Sequence, residues 1–307
     1  MSLIKTTLKT VMAAAVVTTG ILGATQTWAD DLRIAYTGYS TDQPFWVGVG
    51  NAAKAQADEM GVEFIDLTAT SADAAAQKDA VDRAINMGVD GIIIGSVDNR
   101  AFGDTLDAAA TKGIPVVAVD TGIDHPHIKS LVQTDNLAAA GVAGKYIADN
   151  VKEGTVLILG GSAGHQTGNA RRDGVKGAAE AAGLKVIFQI CDWQEACGYD
   201  TTINQTTSNP DIKAIFAASD PMALAAVSAA KERGILNDIV IVGFDGNPGN
   251  LKSIVAGEQS ADIKQDNTRM GQESVKNLVG IIKGEEVPAF TPIDGILITK
   301  DNVAEFM

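Results

Sequence analysis

The chain has 307 residues and a formal net charge of −14. That acidic balance argues against binding nucleic acid through its phosphates, which requires clusters of Lys and Arg, and it suits a protein that handles an uncharged ligand. The length is generous for one hydrophobic core and comfortable for two lobes.

The first 29 residues have the layout of a secretory signal peptide. Two lysines precede an apolar run over 11–24, and Thr27 and Ala29 place small residues three and one positions before a cut ahead of Asp30. An uncleaved membrane anchor would need about 20 continuous apolar residues, whereas this run is shorter and interrupted by threonines. The segment therefore predicts export, cleavage after residue 29 and a periplasmic location.

A regular alternation of strands and helices begins at residue 32. Apolar, β-branched runs predict strands at 32–36, 62–67, 91–95 and 114–119. The amphipathic patterns between and after them predict helices at 45–60, 72–87 and 101–112. Apolar runs without alternation are typical of strands covered on both faces of a parallel sheet, and repeated βα units imply a doubly wound lobe.

The same pattern restarts in the second half of the chain. Strands are predicted at 155–159, 184–187, 214–217, 239–242 and 296–298. Helices are predicted at 169–182, 201–207, 222–233 and 268–283. No Pro-, Gly- or Ser-rich linker separates the halves, so the chain predicts two similar α/β lobes with Rossmann-like sheets, joined by several short crossings.

Cys191 and Cys197 are the two cysteines of the chain. In an oxidising compartment such a pair favours a disulfide, which would stabilise the fold by about 2 kcal/mol through loop closure. Two buried free thiols are the alternative.

Polar and aromatic side chains follow the predicted strands. Open α/β sheets bind ligands at the carboxyl ends of their strands, so these positions are candidates for a binding site. The segments at those ends are 42–46, 120–121, 160–171, 191–193, 219–220 and 245–247. They supply aromatics, carboxylates, amides and an arginine, which suit a sugar whose C–H faces stack on rings and whose hydroxyls need fixed polar partners. A single strand-end Asp is equally well a turn former or helix cap, but together these ends favour a site.

Three other patterns point to no chemistry. Residues 160–164 have the spacing of a hydrolase nucleophile elbow, but that chemistry needs a histidine late in the chain, and the histidines are His125, His127 and His165. The same loop lacks the Lys-Ser/Thr ending of a phosphate-binding P-loop. His125 and His127 have only Asp124 nearby as a further ligand, so a surface loop is the better interpretation. Neither a metal nor a cofactor is predicted.

Seven short blocks carry a resemblance to a known family. They are QPFW at 43–46, VD at 119–120, TDN at 134–136, RRDGV at 171–175, FAASDPMAL at 216–224, VGFDG at 242–246 and IKQ at 263–265. In content and spacing the chain resembles the ribose-binding-protein branch of the periplasmic sugar-binding proteins that feed ATP-driven (ABC) importers, from about residue 32 to the C-terminus. The resemblance implies the type I periplasmic-binding-protein fold and a receptor that captures a monosaccharide or sugar alcohol for a membrane permease, with a chemoreceptor as a further candidate partner.

The resemblance also assigns roles to single residues. Trp46 and Trp193 match aromatic faces from opposite lobes, Asp120 and Asp245 match carboxylates that bind paired hydroxyls, and Gln265 matches a hinge glutamine that also touches ligand. Asn169 and Asp192 are added from their position alone. The predicted ligand-binding residues are Gln43, Phe45, Trp46, Asp120, Thr121, Asn169, Arg171, Trp193, Ser219, Asp245 and Gln265.

Two positions depart from the ribose-binding pattern. Thr121 stands where the family has a second arginine, and Ser219 stands where it has an asparagine. Both changes replace a long donor with a short hydroxyl, so the pocket is expected to have more room and one charge fewer. A hexose, an inositol or a linear polyol is then favoured at least as strongly as ribose.

The resemblance implies three hinge crossings, near 134–135, 264–265 and 294–295. They divide the chain into an N-terminal lobe, 30–133 with 266–294, and a C-terminal lobe, 134–265 with 295–307.

The expected protein is a monomer and not an enzyme. Two alternatives stay open: the effector domain of a sugar-responsive repressor, although a signal peptide stands where a helix-turn-helix would be, and a secreted sugar-processing enzyme using Asp120 and Asp245 as an acid/base pair.

Overall fold

A computed structural model describes residues 32–307, and the predicted signal peptide at 1–29 lies outside the described residues. The strands are β1 (Arg33–Thr37), β2 (Glu63–Asp66), β3 (Gly91–Ile94), β4 (Val116–Val119), β5 (Ile128–Thr134), β6 (Thr155–Gly160), β7 (Lys185–Ile190), β8 (Ile212–Ala217), β9 (Val240–Asp245), β10 (Ala261–Lys264), β11 (Phe290–Ile293) and β12 (Ile296–Thr299). The helices are α1 (Pro44–Glu59), α2 (Ala74–Met87), α3 (Gly103–Thr111), α4 (Asn136–Asn150), α5 (Gln166–Ala181), α6 (Glu195–Ser208), α7 (Asp220–Glu232), α8 (Pro248–Val255) and α9 (Asn267–Ile282). Among them, no helix is both long and apolar enough to cross a bilayer.

These elements build two six-stranded sheets, each the centre of one lobe. In the first lobe the strand order is β11-β5-β4-β3-β1-β2, and in the second it is β12-β10-β9-β8-β6-β7. Neighbouring strands are parallel throughout, except that β12 runs antiparallel to β10 at the edge of the second sheet. The predicted pair of doubly wound lobes is thus confirmed, with one antiparallel edge strand added.

Burial on both faces of the sheets explains the unbroken apolar runs of the sequence. In β3, Ile93 packs with α1 and α9 on one face of the first sheet, whereas Ile92 and Ile94 pack with α2 and α3 on the other. All three side chains are fully buried. The second lobe has a large cluster that includes Leu157 and Ile158 of β6, and a small one where α8 packs on β12. The hydrophobic clusters of the two lobes share no residue.

The chain passes between the lobes three times. Asp135 lies between β5 and α4, Asp266 between β10 and α9, and Asp294 between β11 and β12. The first two aspartates also cap the helices that follow, since the Asp135 carboxylate accepts from the Ala138 amide and the Asp266 carboxylate from the Arg269 amide. Helix α4 packs on α5 and helix α9 on α1. The three-crossing hinge expected from the sequence is therefore present.

Several elements escape the sequence patterns: β5, β10, β11, α4 and α8. Helix α4 is the clearest case, because its two glycines and short side chains dilute the amphipathic signal. A methyl group at Gly144 would lie 2.7 Å from the Ala178 Cβ and 2.9 Å from the Val175 carbonyl oxygen of α5. Glycine is needed there for the helices to touch, at the expense of local helix propensity. Helix α6 begins at Glu195, well before the predicted 201, with Cys197 and Gly198 in its first turns.

Candidate ligand-binding site

A cleft between the lobes collects the loops that follow the strands. Its empty space, counted together with the open solvent at its mouth, is about 520 Å³. Strand order reverses between β1 and β3 and between β6 and β8, and such switch points are where doubly wound sheets bind ligands. The first lobe lines the cleft with Tyr39, Gln43, Phe45, Trp46, Asp120 and Thr121, and the second with His165, Thr167, Arg171, Trp193, Ser219, Pro221, Asp245 and Gln265.

The aromatic wall of the first lobe is built on the first turn of α1. Pro44 occupies the start of the helix, where its missing N–H costs nothing. Trp46 stacks on Tyr39 with ring centroids 6.0 Å apart and meets the edge of Phe45 at 5.4 Å. A methyl group at Gly95, just after β3, would overlap the Trp46 indole. The ring is therefore held between a glycine and two aromatic neighbours at the wall of the cleft.

Asp120 is the carboxylate that the first lobe brings to the cleft. Its backbone is left-handed, with φ of 62°, which turns the side chain out of the sheet after β4. Thr121 donates to Asp120 Oδ2 at 3.0 Å, whereas Oδ1 is buried with no hydrogen-bond partner among residues 32–307. Burial raises the pKa of Asp120, and the Arg171 charge offsets part of that rise.

Trp193 supplies the aromatic face of the second lobe. It lies in the loop closed by the Cys191–Cys197 disulfide, with Cα atoms 5.2 Å apart, so the predicted disulfide is confirmed. Asp192 and Trp193 both have positive φ, at 49° and 63°, a conformation that side chains other than glycine avoid. A methyl group at Gly161 would overlap the Trp193 ring. The disulfide-closed loop thus holds a strained backbone that directs the indole onto a glycine.

Arg171 is buried, and its guanidinium contacts four groups. Its Nε donates to Asn136 Oδ1 at 2.8 Å, and one terminal nitrogen donates to the Ala218 carbonyl at 2.8 Å and approaches Asp245 Oδ1 at 3.5 Å. The guanidinium also lies over the Phe244 ring, 3.8 Å from its centroid. Such stacking and fork geometry fix a guanidinium rigidly. Burial lowers its pKa, and the carboxylate of Asp245 raises it again.

Asp245 is the acid of the second lobe, and it is tied to the hinge. Gln265 Nε2 donates to Asp245 Oδ1 at 2.7 Å, and Thr134 Oγ1 donates to Gln265 Oε1 at 2.7 Å. Burial raises the pKa of Asp245 to about 7, against the opposing effects of Arg171 and of the Gln265 hydrogen bond. Both hinge residues are buried.

His165, Thr167 and Tyr39 also line the cleft, and sequence analysis did not select them as ligand contacts. His165 Nδ1 is 2.8 Å from Thr167 Oγ1, and the imidazole meets the Trp193 ring edge-on at 5.3 Å. Burial, followed by the nearby Arg171 charge, lowers the pKa of His165 to about 4, so the ring is neutral at physiological pH. Their signal was position alone, since they follow β6 and β1 at the switch points.

Asn169 and Asp192 do not line the cleft, although sequence position suggested them. Asn169 Oδ1 instead accepts from Arg172 at 3.1 Å, one turn along the outer side of α5. His125 and His127 both approach Asp107, with Nε2 to Oδ1 distances of 3.6 and 3.3 Å. In the described part of the chain, no group of three or more His, Cys, Asp or Glu side chains is arranged to hold a metal ion.

Two lobes, three crossings and a polar, aromatic cleft define the class of two-lobed receptors that close around small solutes. The model of the periplasmic binding protein domain matches residues 34–286. The ribose import binding protein of Escherichia coli K12 is 30% identical over 269 residues, which cover 87% of this chain and 90% of that one. The chain therefore belongs to the periplasmic binding proteins, in their ribose-binding-protein-like branch.

Other relatives and structural neighbours are named for other ligands. The xylitol-binding protein of Mycolicibacterium smegmatis is 30% identical and covers 75% of this chain and 67% of its own length. An ABC transporter solute-binding protein from Bacillus halodurans C-125, solved with bound myo-inositol, is 27% identical with a TM-score of 0.83 and covers 91% of this chain and 98% of that one.

Proposed function

We propose that this chain is the solute-binding protein of an ABC importer and captures one uncharged monosaccharide or sugar alcohol between its lobes. One observation carries the proposal. Asp120 Oδ1, His165 Nε2 and Ser219 Oγ are buried in the cleft wall without a hydrogen-bond partner among residues 32–307. Buried polar atoms are nearly always paired, and hydroxyl groups, which both donate and accept, can serve all three.

The balance of charge in the cleft favours a neutral ligand. Arg171 is already matched by Asp245, and an anionic ligand would also face Asp120. Trp46 and Trp193 offer ring faces from opposite lobes for the C–H surface of a sugar or polyol. Thr121 and Ser219 have shorter side chains than the arginine and asparagine of the ribose-binding pattern, which favours a ligand larger than a pentose. Relatives named for ribose and xylitol, and a neighbour holding myo-inositol, support a hydroxyl-rich class rather than one compound.

The ligand contacts proposed are the sequence-predicted residues that line the cleft, together with three that geometry adds. Asn169 is left out, because its side chain bonds to Arg172. The proposed set is Tyr39, Gln43, Phe45, Trp46, Asp120, Thr121, His165, Thr167, Arg171, Trp193, Ser219, Asp245 and Gln265.

Binding is proposed to work by hinge closure, the mode described in general for periplasmic binding proteins. Contacts from both lobes exist together only in the closed form, so the ligand shifts the population toward it by its differential affinity. The lobes move at the three crossings, as 30–133 with 266–294 and 134–265 with 295–307. No step needs bond breaking, and the ligand leaves unchanged.

The biological setting follows from the same proposal. Residues 1–29 direct export and are removed, and the mature monomer works in the periplasm. Its closed form presents the ligand to a membrane permease, and a chemoreceptor is a second candidate partner for the same closed surface.

A binding screen on the mature protein tests the proposal. Of the three tryptophans, Trp28 precedes the predicted cut, and the other two line the cleft, so intrinsic fluorescence reports on the site directly. D-ribose, D-allose, xylitol and myo-inositol are titrated, with D-gluconate as an anionic control. A ligand at 100 times its Kd raises the free energy of unfolding by about 2.7 kcal/mol, and the compound recovered afterwards is unchanged.

Matched variants separate the cleft from the rest of the protein. Asp120→Asn removes a charge-assisted acceptor and is expected to weaken binding by about 1.5–3 kcal/mol, tenfold or more in Kd. Asp124→Asn, on an exposed position of the same loop, leaves affinity unchanged. If no neutral member of the panel changes the fluorescence or stabilises the protein, the sugar or polyol assignment is overturned.

A further inference from the structure

Two carboxylic acids are buried behind the cleft in the second lobe. Asp220 opens helix α7 and Asp262 lies within β10, with relative exposures of 1% and 0%. Between them lies Gly243 of β9, which is paired in register with Asp262. A methyl group at Gly243 would overlap Asp262 Oδ2 and lie 2.9 Å from Asp220 Oδ1. Both oxygens therefore lie against this glycine, and Asp220 is within hydrogen-bonding reach of Asp262. We call Asp220 and Asp262 the acid pair.

The hydrogen bonds received by the four carboxyl oxygens indicate where the acid pair carries a proton. Asp262 Oδ1 accepts from the Gly246 amide at 3.0 Å, and its Oδ2 accepts from Gln259 Nε2 at 2.6 Å. Asp220 Oδ2 accepts from the Asn247 amide at 2.5 Å. Asp220 Oδ1 receives no donor in the described part of the chain, although it is fully buried. A proton on Asp220 Oδ1, donated to Asp262 Oδ2, satisfies the atom and removes the repulsion between two carboxylates.

The surrounding charges do not supply an alternative. Arg171 of α5 is the buried cation among residues 32–307, and Asp245 and Asp120 act on it more strongly than Asp220 and Asp262 do. Lys264 of β10 is half-buried at the edge of the cluster, and α8 contributes the neutral Asn250. Burial, reinforced by the charge of Asp262, raises the pKa of Asp220 well above its ordinary value. Burial also raises the pKa of Asp262, whereas its hydrogen bonds from Asp220 and Gln259 lower it.

We propose that Asp220 and Asp262 share one proton and that this pair is the positioning element that holds Asp245 toward the cleft. Each acid accepts one backbone amide of the turn that directly follows Asp245, and the Asp220 amide also approaches Asp245 Oδ2 at 3.4 Å. Asp245 needs such support, because its φ of 137° is a conformation that costs free energy outside glycine. The inference rests on the proposed function only where it takes Asp245 to contact a ligand.

The first test uses unliganded protein and needs no knowledge of the ligand. Above the ordinary pKa of an aspartate and below the raised pKa of the folded pair, the folded protein keeps a proton that the unfolded chain has lost, so unfolding releases it. The unfolding equilibrium constant of the wild type should then rise about tenfold per pH unit more steeply than that of Asp220→Asn, which carries its amide hydrogens at all pH values. The infrared carbonyl band of a protonated carboxyl at pH 7 should be weaker in the variant by one group.

The second test uses the asymmetry of the pair. Asp220→Asn retains a donor toward Asp262 and an acceptor for the Asn247 amide, whereas Asp220→Ala retains neither. Asp262→Asn points an amide donor at another donor, either the Gly246 amide or the Gln259 side chain. Asp220→Ala and Asp262→Asn should therefore lose fluorescence-detected binding of D-ribose, xylitol or myo-inositol by tenfold or more, and Asp220→Asn should restore most of the loss.

The outcomes separate the two proposals. Equal pH dependence in wild type and Asp220→Asn, or no difference in the protonated-carboxyl band, would overturn the shared proton even if a sugar binds. Equal loss of binding in Asp220→Asn and Asp220→Ala would overturn the positioning role. If Asp262→Asn does not fold, the comparison of the two Asp220 variants still decides. A silent sugar panel would count against the proposed function and leave the pH test standing.

Discussion

Thr134 donates its hydroxyl to the side-chain carbonyl of Gln265 at 2.7 Å, joining two hinge crossings that lie 131 positions apart in the sequence. Gln265 passes the connection on, because its Nε2 donates to Asp245 Oδ1 at 2.7 Å. Thr134 is fully buried and Gln265 is 1% exposed. A movement of either crossing is therefore transmitted through two short bonds to a carboxylate in the cleft wall.

Removing the first of these bonds should weaken binding without reshaping the cleft. Thr134→Val keeps the side-chain volume but leaves Gln265 Oε1 buried without its donor, which costs about 1–2 kcal/mol. We expect Kd for any ligand of the panel to rise roughly 5- to 30-fold, measured by titration calorimetry. Thr207→Val removes an exposed hydroxyl bond on α6 and is the control. Equal affinities of the two variants would contradict the coupling.

The position of the Trp193 ring should depend on Gly161, which lies against it. Gly161→Ala forces a methyl group into the indole ring and should displace the ring, lower the free energy of unfolding by about 1–3 kcal/mol and abolish the fluorescence response. Gly141→Ala in α4 meets no atom within 4 Å and should instead stabilise by up to about 1 kcal/mol. Retained binding in Gly161→Ala would show that the indole face is not used.

The disulfide should matter for both stability and binding. Closing the short loop between Cys191 and Cys197 contributes about 2 kcal/mol by loop entropy, and the loop holds Trp193 at positive φ. Reduction of the wild type should therefore lower the melting temperature and weaken ligand binding. The Cys191→Ser/Cys197→Ser double variant should match the reduced protein and ignore reductant. An unchanged melting temperature and an unchanged affinity after reduction would show that the disulfide contributes neither to stability nor to binding.

The lowered pKa of His165 predicts a loss of stability in acid. Its folded pKa of about 4 lies below its ordinary value of 6.5, so the unfolded chain binds the proton first. The stabilising difference is fully present above pH 6.5 and is lost as the pH falls toward 4, by about 3 kcal/mol relative to His165→Gln. Urea unfolding of both proteins over this range measures it. Parallel curves for wild type and His165→Gln would refute the buried neutral ring.

Much of the fold could be predicted because it depends on local pattern. The apolar runs of β3 and β6 are continuous since both sheet faces are covered, and that is visible in the residues themselves. Helix α4 and strand β11 were not visible, because their stability comes from packing. Gly144 is required for the close contact between α4 and α5, and Phe290 begins a strand that pairs with β5, more than 150 residues earlier.

Part of the candidate site could be predicted for the same reason. Parallel strands deliver their following loops to one edge, so Trp46, Asp120 and Asp245 could be expected to meet once the strands were recognised. His165 and Asn169 show the limit of that argument. Both follow β6 within one helical turn of each other, yet the rotation of α5 puts the imidazole in the cleft and Asn169 beside Arg172.

The sequence by itself determined the two-lobe architecture, the family, the cysteine pair and the chemical inventory of the cleft. These are properties of composition, periodicity and short spacing, which act over a few residues. The tertiary structure alone decided which polar atoms lack partners, how Thr134 reaches Asp245 through Gln265, and that Asp220 and Asp262 both lie against Gly243. Hydrogen bonding and proton sharing depend on distances of a few ångströms between residues far apart in the chain, and only the register of the sheets and the packing of the helices set those distances.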